Sequence, residues 1–342
     1  MRNENDLVHA MISCVRVLAI CVFAACLPKP IVYRPAASAD LLVQSVASEE
    51  PTQSPPIEKK LKPATQQPIP KRTDFTVPTL PVGLALQNNT LVWSDLGGAV
   101  WTMPSDASTA PKRLSEQHAD GFVFRPFVAG QRVLGKIDKD LVTIGLPNGP
   151  VEHQHIKGID GLPEAAVGDD TATFITVFKH TEVLRVADGT SKRIADSQRG
   201  VLALRDKTLY VASYTTGELV AVAATGGRPK TVAKHLARPT EVVADDQAVY
   251  VHTEGDHRVI KVDLATGARE TLGDNLENAD VLVLDRGSVY TMSWPNKLLR
   301  LTSGSAPVTL ADDLEEPRAI AVDDKYVYVT TAKPPRIVRI AK

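Results

Sequence analysis

A unit of roughly forty residues recurs along most of this 342-residue chain, and that period narrows the possible folds more than any other feature. Each copy is a turn followed by a β-rich step that ends on an aromatic residue. The copies are Asn89-Thr-Leu-Val-Trp93, Asp170-Thr-Ala-Thr-Phe174, Asp206-Lys-Thr-Leu-Tyr210, Asp246-Gln-Ala-Val-Tyr250, Arg286-Gly-Ser-Val-Tyr290 and Asp324-Lys-Tyr-Val-Tyr328. A degenerate copy, Gln131-Arg-Val-Leu-Gly135, fills the gap between the first two. Successive anchors lie 42, 39, 36, 40, 40 and 38 residues apart.

The cleanest unit shows what one copy folds into. Thr240–Ala244 and Ala248–His252 read as short strands around the turn Asp245-Asp246-Gln247. After the polar loop Glu254–His257, Arg258–Leu264 alternates apolar and polar residues, as a half-buried strand does. Ala265-Thr266-Gly267 turns the chain, and Arg269–Leu272 closes the unit. Four short strands in about forty residues are the pattern of one propeller blade. Residues 74–342 are long enough for seven. The last copy ends after its third strand, at Ile340, so its fourth must come from elsewhere. Asp74–Val77 precedes the first unit and has no other partner. The expected fold is therefore all-β: a seven-bladed β-propeller closed by an N-terminal strand, which removes an open sheet edge.

The first 73 residues read differently. They contain no glycine, and one aromatic residue, Tyr33, stands in 27–73. Such a Pro-, Ser- and charge-rich stretch buries too little apolar surface to offset chain entropy, and is expected to be a disordered tether. Before it, Val17–Leu27 is an unbroken apolar run behind Arg16. Eleven residues suit a signal-peptide core and are too few to cross a bilayer, which takes about 20. Phe23-Ala24-Ala25-Cys26 resembles a bacterial lipobox. The resemblance implies acylation of Cys26, cleavage just before it, and a lipid-anchored protein of the cell envelope, with the outer membrane favoured. The expected organisation is a signal peptide over 1–25, a tether over 26–73 and a propeller over 74–342.

Charge and cysteine usage remove several function classes. The formal net charge is −1, so no basic excess points to nucleic acid. All three cysteines lie in the first 26 residues, so the repeats fold without disulfides or cysteine-bound metal. There is no phosphate-binding glycine loop, nucleophile elbow or His-Glu-x-x-His pattern.

Two sets of residues could carry function at the end of the propeller where the innermost strands begin. Counting ten back from each anchor gives Gly83, Arg125, Glu164, Gly200, Thr240, Asp280 and Arg318, with Glu241 alongside. Four of these seven are charged, with mixed sign, and a charged mouth can hold a polar ligand or ion. The second set follows the second strands: His252, Glu254, Asp256 and His257, together with the aromatics Tyr214 and Trp294. Imidazole and carboxylate suit divalent metal or acid–base work, and the same residues suit an ordinary polar turn. His153 and His155 share one face of an outermost strand and read as a surface pair. Trp93 and Trp101 read as packing residues.

Pro317-Arg-Ala-Ile-Ala-Val-Asp323, Val327-Tyr-Val-Thr-Thr331 and Arg336-Ile-Val-Arg-Ile340 resemble an NHL/YVTN-type propeller repeat. Val262-Asp-Leu-Ala-Thr-Gly267 is similar to the turn of quinoprotein (PQQ-like) blades. Ala268-Arg269-Glu270-Thr271 stands where those blades carry a tryptophan, and no quinone or other cofactor is expected. These resemblances imply the fold; the expected function, from a rigid ring that presents many loops at fixed geometry, is a non-catalytic binding or scaffold module for an envelope protein, peptide or glycan, as a monomer. Quinoprotein-like propellers in outer-membrane assembly are one example. The alternative is a metal-dependent lyase or lactonase on the same fold. Streptogramin lyases use His and Glu on this face, and lactonases use carboxylates and asparagines, for which Asn278 and Asn296 are available.

Overall fold

The computed structural model describes residues 71–115, 126–137, 140–146, 149–157, 163–177, 182–187, 190–196, 200–277, 279 and 281–342. They form seven four-stranded antiparallel sheets. Blade 1 runs from Pro81 to Arg113, blade 2 from Phe127 to His155, blade 3 from Pro163 to Asp196 and blade 4 from Gly200 to Ala233. Blades 5 and 6 span Pro239–Gly273 and Leu282–Ala311. The first strand of every blade touches the first strands of the blades on either side, so the seven innermost strands form a closed ring. Seven apolar clusters fill the seven seams, each drawn from two adjacent blades.

Blade 7 is made from both ends of the repeat region. Its inner three strands, Pro317–Val322, Tyr326–Thr331 and Arg336–Ala341, are joined at the outer edge by Arg72–Thr76. The pairing runs from Arg72 opposite Ile340 to Thr76 opposite Arg336. The expected closing strand is thus present, starting two residues before Asp74. Asp74 sits between two arginines, 2.7 Å from Arg72 Nε and 2.7 Å from Arg336 Nη1. The Arg339 guanidinium lies over Phe75 of the closing strand on one side and Tyr326 on the other.

The Arg72 hydrogen bond holds the Asp74 carboxyl below its ordinary value, against the opposing push of burial and with help from the charges of Arg72 and Arg336. A depressed carboxylate stabilises the fold above its unfolded pKa and loses that contribution as pH falls through the folded one. The closure should therefore weaken in acid, below about pH 4. Thermal melts on acidification should fall more steeply for the native chain than for Asp74→Asn. Parallel slopes would remove Asp74 as the acid-sensitive group.

The repeating turn-to-aromatic signature has a definite chemistry in blades 3, 5 and 7. Each carries two successive aspartates between its first two strands. The first caps its own turn: Asp245 Oδ1 accepts the amides of Gln247 and Ala248, and Asp323 Oδ1 those of Lys325 and Tyr326. Its other oxygen accepts the hydroxyl of the anchor tyrosine, Tyr250 at 3.0 Å and Tyr328 at 2.7 Å. The second aspartate reaches the preceding blade. Asp170 accepts the Gln131 amide, Asp246 pairs with Arg205, and Asp324 pairs with Arg286. These pairs are exposed, so each contributes little stability alone, about 0–1 kcal/mol.

The pairing register corrects the anchors of the first two blades. The two-residue turn of blade 4, closed by Arg205 and Thr208, places Tyr210 two residues into the second strand. The same count from Thr90 in blade 1 gives Val92, not Trp93, and from Arg132 in blade 2 gives Leu134, not Gly135. Side chains alternate across a strand, so a shift of one residue moves the anchor to the other face. Val92 packs toward blade 2, whereas Trp93 is buried against blade 7. Trp93 stacks on the cross-strand Trp101, with ring centroids 6.4 Å apart, and Trp101 Nε1 donates to Asp95 at 3.0 Å.

Candidate functional site

Within each blade, the link into the first strand and the loop after the second lie at the same end, because adjacent strands are antiparallel. That end is the loop face; the aspartate turns mark the opposite, turn face. On the loop face the connections are knitted together by backbone hydrogen bonds. Leu236, Leu276 and Leu314 donate their amides to the carbonyls of Gly217, His257 and Asn296 in the preceding blade's loop. Their side chains are buried. Glu254 and Gly255 bond back to Arg238 and Ala237, and Trp294 to Glu277. Gly217, at φ 66°, is required: a Cβ there would meet the Leu236 carbonyl oxygen. The recurring buried leucine, at spacings of 40 and 38 residues, is a repeat signal that the aromatic-anchor reading missed.

The structure disperses the polar cluster of blade 5. His252 falls inside the strand Ala248–Thr253 and is fully buried, with Nδ1 2.8 Å from Thr240 Oγ1. Glu254 accepts the Tyr214 hydroxyl of blade 4 at 2.9 Å and lies 3.7 Å from Arg238. Burial, then the Glu254 carboxylate, pushes the Tyr214 phenol above its ordinary value. Asp256 accepts the Thr253 hydroxyl and faces Arg258 at 3.7 Å. His257 is exposed, at φ 54°, and lends its carbonyl to Leu276. Strand pairing explains the dispersal: His252 opposes Glu241 in the ladder, while the other three sit beyond its end. Among the described residues, no three His, Cys, Asp or Glu side chains gather as a metal site would require.

The channel set is only partly brought together. A cavity of about 420 Å³ runs along the inner strands of blades 1, 2, 6 and 7, and reaches Glu241. Gly83, Glu241 and Arg318 line it, and the rest of the wall is apolar, including Val82, Leu84, Val128 and Ile320. Arg318 lies 3.2 Å from Glu316. Thr240 turns its hydroxyl to His252, and the Gly200 carbonyl accepts the Thr176 hydroxyl. Arg125 and Asp280 lie outside the described residues, as do Cys26, Asn278 and the side chain of Glu164. His153 and His155 are exposed on the outermost strand of blade 2.

Among the described residues Trp294 is the one exposed aromatic among the large hydrophobic side chains, at 40%. It borders a groove of about 360 Å³ between blades 6 and 7, lined also by Pro295, Asn296, Leu314, Glu315, Glu316 and Lys333. Lys333 pairs with Glu316 at 2.7 Å. The lysine contact first, with a second from Arg318 and against the cost of burial, holds the Glu316 carboxyl below its ordinary value.

With this geometry in place, three comparisons bear on the chain. A family profile described as outer membrane protein assembly factor BamB matches residues 177–271, from the second strand of blade 3 to the last strand of blade 5. None of the curated proteins matches the sequence. Among solved structures, the chain is similar to the WD40 β-propeller domain of Doa1, at 12% identity and a TM-score of 0.61, over 78% of this chain and 95% of that one. It is similar to the computationally designed Ika8 protein, at 13% identity and a TM-score of 0.54, over 78% and 97%. BamB from Moraxella catarrhalis aligns at 14% identity and a TM-score of 0.49, over 77% and 86%. At these identities the structural likeness is one of fold alone.

Proposed function

We propose that this chain is a non-catalytic binding module of the bacterial envelope, held by a lipid on Cys26 and engaging a protein partner through its loop face. The observation that carries the reading is the Trp294 groove, an exposed indole beside an apolar floor on loops fixed by backbone hydrogen bonds. Tryptophan is enriched among residues that dominate binding energy, and a rigid presenting surface lowers the entropy lost on association. The profile match over residues 177–271, described by an outer-membrane assembly factor, supports a protein partner and an envelope location.

The point of attachment supports the same surface. Arg72 pairs with Ile340 at the turn-face end, and the Lys71 carbonyl accepts the Ala341 amide. The described residues therefore enter the propeller at the end opposite the loop face.

Quantitative co-purification of the full chain from solubilised envelopes tests the reading. Trp294→Ala should lower partner recovery by about tenfold or more, the effect of losing a hot-spot residue. The turn-face change Lys325→Ala should leave recovery unchanged. Equal recovery of both variants would overturn the loop-face assignment.

Cys26→Ala should abolish fatty-acid labelling and move the protein from the membrane to the soluble fraction. Undiminished membrane retention would refute the lipid anchor.

A further inference from the structure

We infer that the partner presents a basic segment, and that one of its lysine or arginine side chains enters the groove beside Trp294. This rests on the binding-module reading above and adds the chemistry of the partner. The groove is the apolar feature; the charge around it selects the occupant. The two links that frame it contain Asp274 and Glu277 before blade 6, and Asp312, Asp313, Glu315 and Glu316 before blade 7. Lys333 is the one cation in the described loops that close the groove, and it pairs with Glu316. Among the cations at the neighbouring strand ends, Arg318 is answered by Glu316, Arg336 by Asp74 and Arg72 by Asp313, and the exposed Lys297 closes the Trp294 turn, so the six carboxylates of the two links still outnumber the cations beside them. Glu277 and Glu315 remain exposed on either side of Trp294, whose amide is bonded to the Glu277 carbonyl.

The excess negative charge is local. The corresponding link into blade 5 is Lys234-His-Leu-Ala-Arg238, which carries cations and no carboxylate. At blade 5 the link's two cations are answered by carboxylates, Lys234 by Glu218 and Arg238 by Glu254, so the acidic excess of the described loop face lies over blades 6 and 7. A concave site edged by one sign of charge attracts the opposite sign and orients the incoming chain. An indole face adds its own attraction for an ammonium or guanidinium, and the apolar floor of Leu314 and Pro295 accommodates the methylene stem of such a side chain. An acidic segment would meet Glu277 and Glu315 as like charges, and an uncharged apolar one would leave them desolvated without a partner.

Site-specific photo-cross-linking in intact cells tests this on the full-length protein. A benzoylphenylalanine is placed at position 296 in the groove, and separately at positions 214 and 96 elsewhere on the loop face; cross-linked peptides are then sequenced. The expected result is a partner peptide with lysine or arginine within a few residues of the link to position 296. The Glu277→Lys/Glu315→Lys variant should lower that yield on the order of tenfold, and Glu277→Gln/Glu315→Gln by less. Both changes are at exposed positions, and a thermal melt of each variant checks that the fold persists. Links from 296 to acidic or uncharged segments, or a yield unmoved by charge reversal, would overturn the inference while leaving the binding module standing. Links from 214 or 96 but not 296 would do the same. No links from any of the three positions would remove both.

Discussion

A chain that begins at Pro78 should lose the propeller's cooperative melt or shift it downward by about 10–20 °C, and should associate more than the intact chain. Among the described residues Arg72–Thr76 alone pairs with the outer edge of Arg336–Ala341. Its removal takes away a ladder of five paired residues, the burial of Val77, the stacking of Arg339 on Phe75, and both contacts of Asp74. At about 1 kcal/mol per net hydrogen bond and about 1.5–3 kcal/mol for a buried aliphatic side chain, the loss is on the order of 5 kcal/mol or more. Whole domains are stable by about 5–15 kcal/mol, so one strand decides a large share. The newly opened edge of Arg336–Ala341 offers unpaired amides and carbonyls to a second chain. Circular dichroism melts and size-exclusion chromatography of the two chains give the comparison. An unchanged melt with a monomeric elution would mean that the ring holds without its closing strand.

The architecture was legible because it is written in chemistry that repeats. An aspartate that caps a turn and receives a tyrosine hydroxyl five residues later must recur as a spacing, as Asp245 to Tyr250 and Asp323 to Tyr328 do. The missing strand was legible because the last unit visibly stops short. Blade 1 misleads because its turn is Asn88-Asn89, at φ 49° and 58°, with no capping aspartate to fix the count. There the aromatic Trp93 stood out, while the true equivalent, Val92, did not. The site was less legible for a local reason. Pro81, Pro163, Pro239 and Pro317 each open an inner strand, and each is followed by a shift in register. Proline at a strand's first residue is tolerated, and the irregularity after it re-aims the next side chains. Counting back from an anchor therefore cannot say that Thr240 turns to His252 while Glu241 reaches the channel. Trp294 was legible as a loop-face aromatic; the acidic frame around it emerges only when the links before blades 6 and 7 are seen on both of its sides.

Tyr328→Ala should be strongly damaging at the seam between blades 7 and 1, at about 3–5 kcal/mol, the range for deleting a buried aromatic ring. The ring is 1% exposed and packs with Leu84, Leu91 and Trp93 across the seam. Its hydroxyl donates to Asp323, whose carboxyl also caps the turn to Tyr326. Burial raises the Asp323 carboxyl, but the hydroxyl and the two turn amides outweigh it and hold the group below its ordinary value. Tyr328→Phe separates the two contributions. It keeps the packing and removes one hydrogen bond to a carboxylate, for about 1.5–3 kcal/mol. Urea unfolding measures both. If Phe were as damaging as Ala, the hydroxyl rather than the ring would hold the seam; if neither moved the midpoint, this seam would not limit the stability of the ring. The tyrosine lies where the chain's two ends meet, so its loss and that of the closing strand strike the same blade. In combination they should fall short of additive, because a blade already opened at its outer edge has less left to lose at its inner one.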